Sequence, residues 1–128
     1  MPFPVEYKYI EFTEEQLKVT FPKKFKLKMM LNNGGELEYE AFHFELYPFF
    51  DQKNRKRISR TCNHIIPETR NMRKWANFPE NAITIGSDGC GNQLVLIHEG
   101  NGILKETLFV WNHETGQLDF IAENIDEI

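Results

Sequence analysis

The sequence has 128 residues, the length of one ordinary domain, which excludes a multi-domain enzyme or a large barrel. Hydrophobic residues make up 41% and charged residues 27%, a balance typical of a globular chain and not of a disordered one. The net charge of −4 has the wrong sign for a protein held to nucleic acid mainly through phosphate contacts. We therefore expect a single domain over residues 1–128 that binds no nucleic acid.

The cysteine count and the first residues bear on the cellular compartment. Cys62 and Cys90 are too few for a disulfide-rich secreted scaffold and lack the paired spacing of a zinc site. The first ten residues show no signal-peptide pattern, and Pro2 and Pro4 would interrupt one. No apolar run exceeds four residues, whereas a transmembrane helix needs about 20. These features predict a cytoplasmic protein without a membrane span.

Two helices are predicted in the first third of the chain. Thr13 is followed by Glu-Glu-Gln, which is typical of an N-cap with a capping box, so a short helix should run from there to about Val19. A second helix should begin at Phe21-Pro22, because proline suits a first helical turn. Asn32-Asn33-Gly34-Gly35 should end it, because Asn and Gly tolerate the left-handed conformation common at helix C-termini.

The middle of the chain mixes strand and helix patterns. Residues 36–41 alternate apolar and acidic positions and predict a strand. The alternation continues one position out of phase over 42–46, so a turn or a bulge should separate two strands. Residues 51–57 predict a solvated loop. Helical patterns follow over 58–66 and 67–75, with a proline at the junction.

Four β-rich runs separated by glycine-rich turns predict an antiparallel meander in the last third. Two stretches, 94–97 and 108–111, are apolar throughout, so their strands should be central and covered on both faces by helices. The predicted fold class is α+β, with a C-terminal antiparallel sheet packed against helices from the N-terminal half and the middle. Asp126 and Glu127 predict a short closing helix. The four runs cover residues 83–85, 93–98, 104–111 and 118–122.

Cys90 is the one candidate nucleophile that the pattern suggests. It lies between Gly89 and Gly91, as on a tight turn, with His98 or His113 as the candidate base. The same residues are also what a β-turn between two strands requires, and this structural interpretation is favoured.

Metal and phosphate sites are not predicted. Cys62 and His64 form the only close pair of candidate metal ligands in the sequence, and zinc needs three or four ligands. The glycine-rich residues 86–91 lack the Lys-Ser/Thr ending of a phosphate-binding loop and precede a strand instead of a helix. We therefore expect no metal, no cofactor and no catalytic residue.

Charge is distributed unevenly along the chain. Residues 53–74, the basic region, carry eight Lys and Arg against one Glu, a net charge of +7. Residues 80–128, the acidic region, carry nine Asp and Glu against one Lys, a net charge of −8. The two regions could neutralise each other across the fold, or the acidic region could attract a basic partner protein. In the second case the predicted contacts are Glu99, Glu106, Glu114 and Asp119.

Three motifs in order resemble the SUKH superfamily over residues 13–128. The first is an aromatic-Pro-x-x-aromatic helix start leading into Asn-Gly-Gly, with Phe21 and Phe25 where the superfamily has Leu and Tyr. The second is a strand, an Asp-Gly turn and another strand. The third is a strand that ends in Trp with a His nearby. The matching residues are Pro22, Phe25, Asn33, Gly34, Gly35, Asp88, Gly91 and Trp111.

The superfamily includes bacterial immunity proteins of polymorphic toxin systems and relatives of a fungal cell-wall assembly regulator. The resemblance implies a non-enzymatic domain that neutralises a cognate toxin, often a nuclease, by direct binding. Alternatives are a regulatory scaffold in a larger assembly and a small thiol hydrolase using Cys90. We further expect Phe21, Phe25, Trp111 and Phe120 to lie in the core, each contributing about 1.5 to 3 kcal/mol by burial.

Overall fold

The computed structural model describes residues 3–128. Four α-helices, six strands and a closing 3₁₀ helix follow one another over this range. The helices are α1 Tyr7–Leu17, α2 Lys23–Leu31, α3 Arg55–Arg60 and α4 Ile65–Met72, and the 3₁₀ helix is Ile125–Glu127. The strands are β1 Gly35–Tyr39, β2 Phe42–Leu46, β3 Ala82–Ser87, β4 Gln93–Ile97, β5 Leu108–Trp111 and β6 Leu118–Ala122.

All six strands form one antiparallel sheet in chain order, so β1 and β6 are its edges. The predicted α+β class and antiparallel meander are confirmed. The sheet is larger than predicted because the β1–β2 hairpin joins it, with Leu46 paired to Gly86. A turn at Glu40 and Ala41 separates β1 from β2, as the shift in alternation predicted, and Glu40 adopts a φ of 52°.

The two faces of the sheet pack against different elements. Alternate residues of a strand point to opposite faces, so Leu94 and Leu96 face one layer and Val95 the other. On the first face, the main core includes Ile10 from α1, Phe25 and Met29 from α2, and Phe21 from the connection between the two helices. On the second face, Met72 and Phe78 pack with Ala82, Val95 and Trp111. Phe21, Phe25 and Trp111 are therefore buried, as predicted.

The capping box predicted at Thr13 is wrong. Thr13 lies inside α1 on its buried stripe, three residues after Ile10, and is 0% exposed. The helix starts earlier because the N–H of Val5 donates to the carbonyl of Met30, which anchors the chain before α1. The Glu14 carboxylate accepts from the backbone N–H beyond the helix, at position 21, instead of completing a box.

Thr13 supplies a test of the core. Its hydroxyl is buried without a hydrogen-bond partner in the described chain. Thr13→Val keeps the β-branched shape and removes that group, so we expect the free energy of unfolding to rise by about 1 kcal/mol. Thr69 is the matched control: it is equally buried, but its hydroxyl accepts from the Thr84 N–H at 3.2 Å. Thr69→Val should cost about 1 to 3 kcal/mol; equal effects in urea denaturation would contradict this assignment.

The solvated loop predicted at 51–57 is only partly correct. The Asn54 side chain accepts from the Arg57 N–H at 2.9 Å, so α3 begins at Arg55. Asp51 is buried beneath this helix. The helix predicted over 58–66 is interrupted at residues 61–64, because α3 ends at Arg60 and α4 begins at Ile65. The helix predicted over 67–75 ends at position 72, and its proline lies in the first turn of α4.

The strand predicted over 104–111 is shorter in the structure. Leu104, the first residue of the predicted strand, bonds to Thr20 instead: its N–H donates to the Thr20 carbonyl at 3.0 Å. The Thr20 N–H in turn donates to the carbonyl of Gly102 at 2.8 Å. The predicted closing helix is a 3₁₀ turn, capped where Asn124 accepts from the Asp126 N–H. Across residues 3–128, every helix is too short or too polar to cross a bilayer.

His64 occupies the N-cap of α4 and stacks on Phe50, with 4.4 Å between ring centroids. Its Nδ1 atom is buried and has no partner among the described residues. Burial, followed by the charge of Arg70, lowers the pKa of His64 from 6.5 to about 4. The folded chain therefore binds fewer protons than the unfolded chain between these values, so stability is lost as the pH falls from 6.5 towards 4.

Replacing His64 with phenylalanine keeps the stacked ring and removes its titration. Between pH 7 and pH 4, we expect the unmodified chain to lose about 1 to 2 kcal/mol more stability than His64→Phe. Partial solvent screening keeps the effect below that of the full pKa shift. Urea denaturation at pH 7, 5 and 4 measures the difference, and parallel stability profiles would contradict it.

Candidate functional site

Exposed apolar side chains cluster on the last hairpin of the sheet. Phe109 and Trp111 are two residues apart on β5 and share a face, and β6 places Phe120 and Leu118 directly opposite them. Trp75, just beyond α4, packs edge-on against Trp111 with 6.0 Å between centroids. We name Trp75, Phe109, Leu118 and Phe120 the β6 patch.

The segment after α4 covers this face of the sheet only as far as Trp111. The indole N–H of Trp111 donates to the Asn77 carbonyl at 3.1 Å. Phe78 packs edge-on against the same indole, with 5.2 Å between centroids. Trp111 is consequently 1% exposed. The neighbouring face of β6 has no such cover in the structure of residues 3–128.

The prediction that Phe120 belongs to the core is wrong. Phe120 is 57% exposed, Trp75 49% and Leu118 38%. Phe120 has Phe109 on one side, at 6.4 Å between centroids, but it stands on an edge strand with no strand or helix beyond it in the described chain. Large apolar side chains that are exposed next to one another commonly mark an interaction surface.

The structure distributes the four predicted acidic contacts instead of bringing them together. Glu106 and Glu114 lie at opposite ends of β5, and Asp119 lies between the two exposed apolar residues of β6. Glu99 forms an exposed ion pair with Lys105, whose hydrogen bond and charge lower the pKa of that carboxyl. Glu106, Glu114 and Asp119 thus lie on or next to the β5–β6 hairpin, with Asp119 on the face opposite the β6 patch, and Glu99 is engaged elsewhere.

Ion pairs do not connect the basic region with the acidic region. Within the basic region, Lys53 pairs with Glu6 at 3.6 Å and Arg57 pairs with Asp51 at 3.0 Å. Among residues 3–128, the acidic region forms one ion pair with a lysine or arginine, and it joins Lys105 to Glu99 within the β4–β5 loop. Neutralisation between these two regions is therefore not achieved through direct pairs, and Glu114 and Asp119 are exposed to solvent.

The glycine-rich turn between β3 and β4 supports the patch. Asn92 donates through its side chain to Asp88 at 2.9 Å and contacts Nδ1 of His113 at 2.8 Å. Gly91 has a φ of 101°, and a Cβ there would lie 2.9 Å from the His113 ring, so this position requires glycine. The ring of His113 in turn packs edge-on against Trp75, with 6.5 Å between ring centroids. The turn therefore holds one side of the β6 patch in place.

The Asn-Gly-Gly motif connects α2 to β1, the edge of the sheet opposite β6. The Asn33 side chain donates to the carbonyl of Phe49 and accepts from its N–H, both at 2.8 Å. Gly34 and Gly35 have φ values of 111° and 92°. A Cβ on Gly34 would lie 3.3 Å from the Leu46 carbonyl oxygen. With Pro22 at the N-cap of α2 and Phe25 in the core, this motif has an architectural role.

The structure does not form the thiol–imidazole pair that an enzyme based on Cys90 would use. Cys90 is an exposed free cysteine. Nδ1 of His113 is bonded to Asn92, and Nδ1 of His98 accepts from the Gly100 N–H at 3.0 Å. Over the described range, no three His, Cys, Asp or Glu side chains group in a way that could hold a metal ion.

Sequence comparison agrees with this arrangement of elements. The SMI1 / KNR4 family (SUKH-1) matches residues 4–128, a range that includes every helix and strand of the structure. A search of curated proteins gave no match. The resemblance to the SUKH superfamily is therefore confirmed, and the chain belongs to the SMI1 / KNR4 family (SUKH-1).

Proposed function

We propose that this SUKH-1 domain is an immunity protein that neutralises a cognate toxin by one-to-one binding, covering the toxin's active site or an adjacent surface. The β6 patch is the observation that carries the proposal, because it exposes Leu118 and Phe120 on the edge strand and Trp75 on the segment after α4. SUKH domains are known as immunity proteins and regulators, and direct binding accounts for the patch without catalysis.

The patch has the composition of a binding hot spot. Tryptophan is enriched at the centre of protein interfaces, and burying a large apolar side chain contributes about 1.5 to 3 kcal/mol. Acidic residues around such a centre raise the association rate with a basic partner. A nuclease toxin fits this description, because a surface that holds phosphates is basic. Asp119, on β6, and Glu114, in the turn between β5 and β6, are the proposed acidic contacts on this hairpin.

The proposal also places the protein in the cytoplasm of the cell that it protects. Cys62 and Cys90 are both exposed and unpaired, which suits a reducing compartment.

Binding to the product of a neighbouring toxin gene tests the proposal. We expect a 1:1 complex by calorimetry and protection of cells that express both proteins. Phe120→Ser and Trp75→Ala should each weaken binding by about 30-fold or more, the range of a hot-spot residue. Ile58→Ser is the matched control, because Ile58 is 43% exposed on α3 and lies outside the patch; its affinity should not change.

The outcomes separate the alternatives. A constitutive partner without toxic activity would favour the regulatory scaffold over the immunity protein. A chain that neither binds nor protects against any adjacent toxin would contradict the proposal, as would equal losses of affinity in the patch and control variants.

A further inference from the structure

The outer edge of β6 presents backbone groups directed away from the sheet. The N–H of Asn112 donates to the carbonyl of Gln117 at 2.9 Å, which sets the alternation of bonded pairs along the β5–β6 hairpin. Asp119 lies two residues after Gln117 and opposite Val110, so its N–H and C=O groups also point to β5. The N–H and C=O groups of Leu118 and Phe120 therefore point outward, and no strand in residues 3–128 pairs with them.

The other edge of the sheet is protected by charge. β1 carries Glu36 and Glu38, both exposed, and His43 on β2 lies 3.5 Å and 3.0 Å from their carboxylates. Charged side chains on an edge strand oppose the addition of another strand. On β6, by contrast, Asp119 is the single charge, and it stands between two exposed apolar residues. The charges on the two edge strands therefore oppose strand addition more strongly at β1 than at β6.

The side chains of β6 specify what an added strand should carry. Leu118 and Phe120 lie on the face of the β6 patch, and Asp119 points to the opposite face. A strand paired with β6 buries most apolar area when its residues on the patch face are also apolar. On the other face, a basic residue complements Asp119. A second copy of this chain is a poor occupant, because it would bring together two acidic regions that each carry a net charge of −8.

We propose that the partner adds an extended segment of alternating apolar and basic residues to β6 as a seventh strand. This inference rests on the proposed binding function and specifies how the partner binds. Backbone hydrogen bonds to Leu118 and Phe120 supply part of the affinity, and the β6 patch and Asp119 select the side chains.

Amide hydrogen exchange of the full chain, followed by NMR, tests the added strand. The probe is the peptide acetyl-(Lys-Val)4-amide, whose valines can face the patch while its lysines face Asp119. At saturating peptide, the amides of Leu118 and Phe120 should exchange at least about tenfold more slowly. The amide of Asp119, already bonded to β5, should change little. The control peptide is N-methylated at every valine, which removes the donors that would point towards β6; it should give no slowing.

Failure of the peptide to bind, or binding without slower exchange at Leu118 and Phe120, overturns the inference. So does equal slowing by the N-methylated peptide. The same amides report on a toxin complex. A toxin that binds through Phe120 but leaves both amides unprotected refutes the added strand and leaves the proposed function standing. Slower exchange with the peptide, in a chain that binds no toxin, refutes the proposed function and supports the added strand.

Discussion

Replacing Trp111 with alanine should lower the free energy of unfolding by about 4 kcal/mol. The indole is 1% exposed and packs against both Trp75 and Phe78. Its N–H donates to the Asn77 carbonyl, which would lose this donor. The substitution leaves a cavity between the sheet and the segment after α4. That segment should not collapse fully into the cavity, because α4 holds one end of it and β3 the other. Urea denaturation followed by far-ultraviolet circular dichroism measures the loss.

Phe120 is the matched control for Trp111. It is a large aromatic residue on the same face of the same hairpin, but it is 57% exposed. Phe120→Ala removes little buried surface and should cost less than about 1 kcal/mol. Equal losses for the two variants would show that β6 is covered in solution and would contradict the description of the β6 patch.

Replacing Arg57 with methionine should destabilise the chain by about 3 kcal/mol at pH 7. The guanidinium of Arg57 donates to the Asp51 carboxylate at 3.0 Å, and Asp51 is 1% exposed. It also donates to the Pro4 carbonyl and lies 4.3 Å from the centre of the Phe3 ring. Methionine retains much of the side-chain volume but leaves a buried carboxylate without its cation, and denaturant titration should show the cost.

Two variants separate the buried charge from the lost packing. The double variant Asp51→Asn/Arg57→Met removes both charges, so it should recover about half of the loss or more. Lys105→Met breaks the exposed pair with Glu99 and should cost little stability, because water screens an exposed pair. A loss in Arg57→Met no larger than that in Lys105→Met would show that the Asp51 carboxylate reaches water.

Most of the sheet was predictable because its signals are local. Alternation over 36–46 and the glycine-rich turns after residue 82 each depend on neighbouring residues alone, and the structure forms strands at all these places. The predictions fail where a contact between residues far apart in the sequence determines the local structure. α1 begins before Thr13 because residue 5 is anchored to residue 30, and Leu104 leaves the predicted strand because it bonds to Thr20.

The candidate site was predictable only in part, for the same reason. The acidic excess after residue 80 can be counted from the sequence, but its arrangement around β6 depends on strand order. Leu118 and Phe120 alternate as residues of a buried face do, so their pattern alone predicts a core. Whether that face is covered depends on how far the segment that contains Trp75 extends over the sheet. The one available signal was that β6 is the last strand of a meander, which makes it an edge.

The contrast between the two edges of the sheet limits how large an assembly can grow. Filaments form when each subunit can pair through both edges of its sheet, because every added subunit then exposes a free edge to which the next can bind. Glu36 and Glu38 make β1 a poor acceptor, whereas β6 is the edge at which we propose strand addition. Growth by edge pairing would therefore stop after one step, so the chain can expose a strand edge with little risk of polymerising.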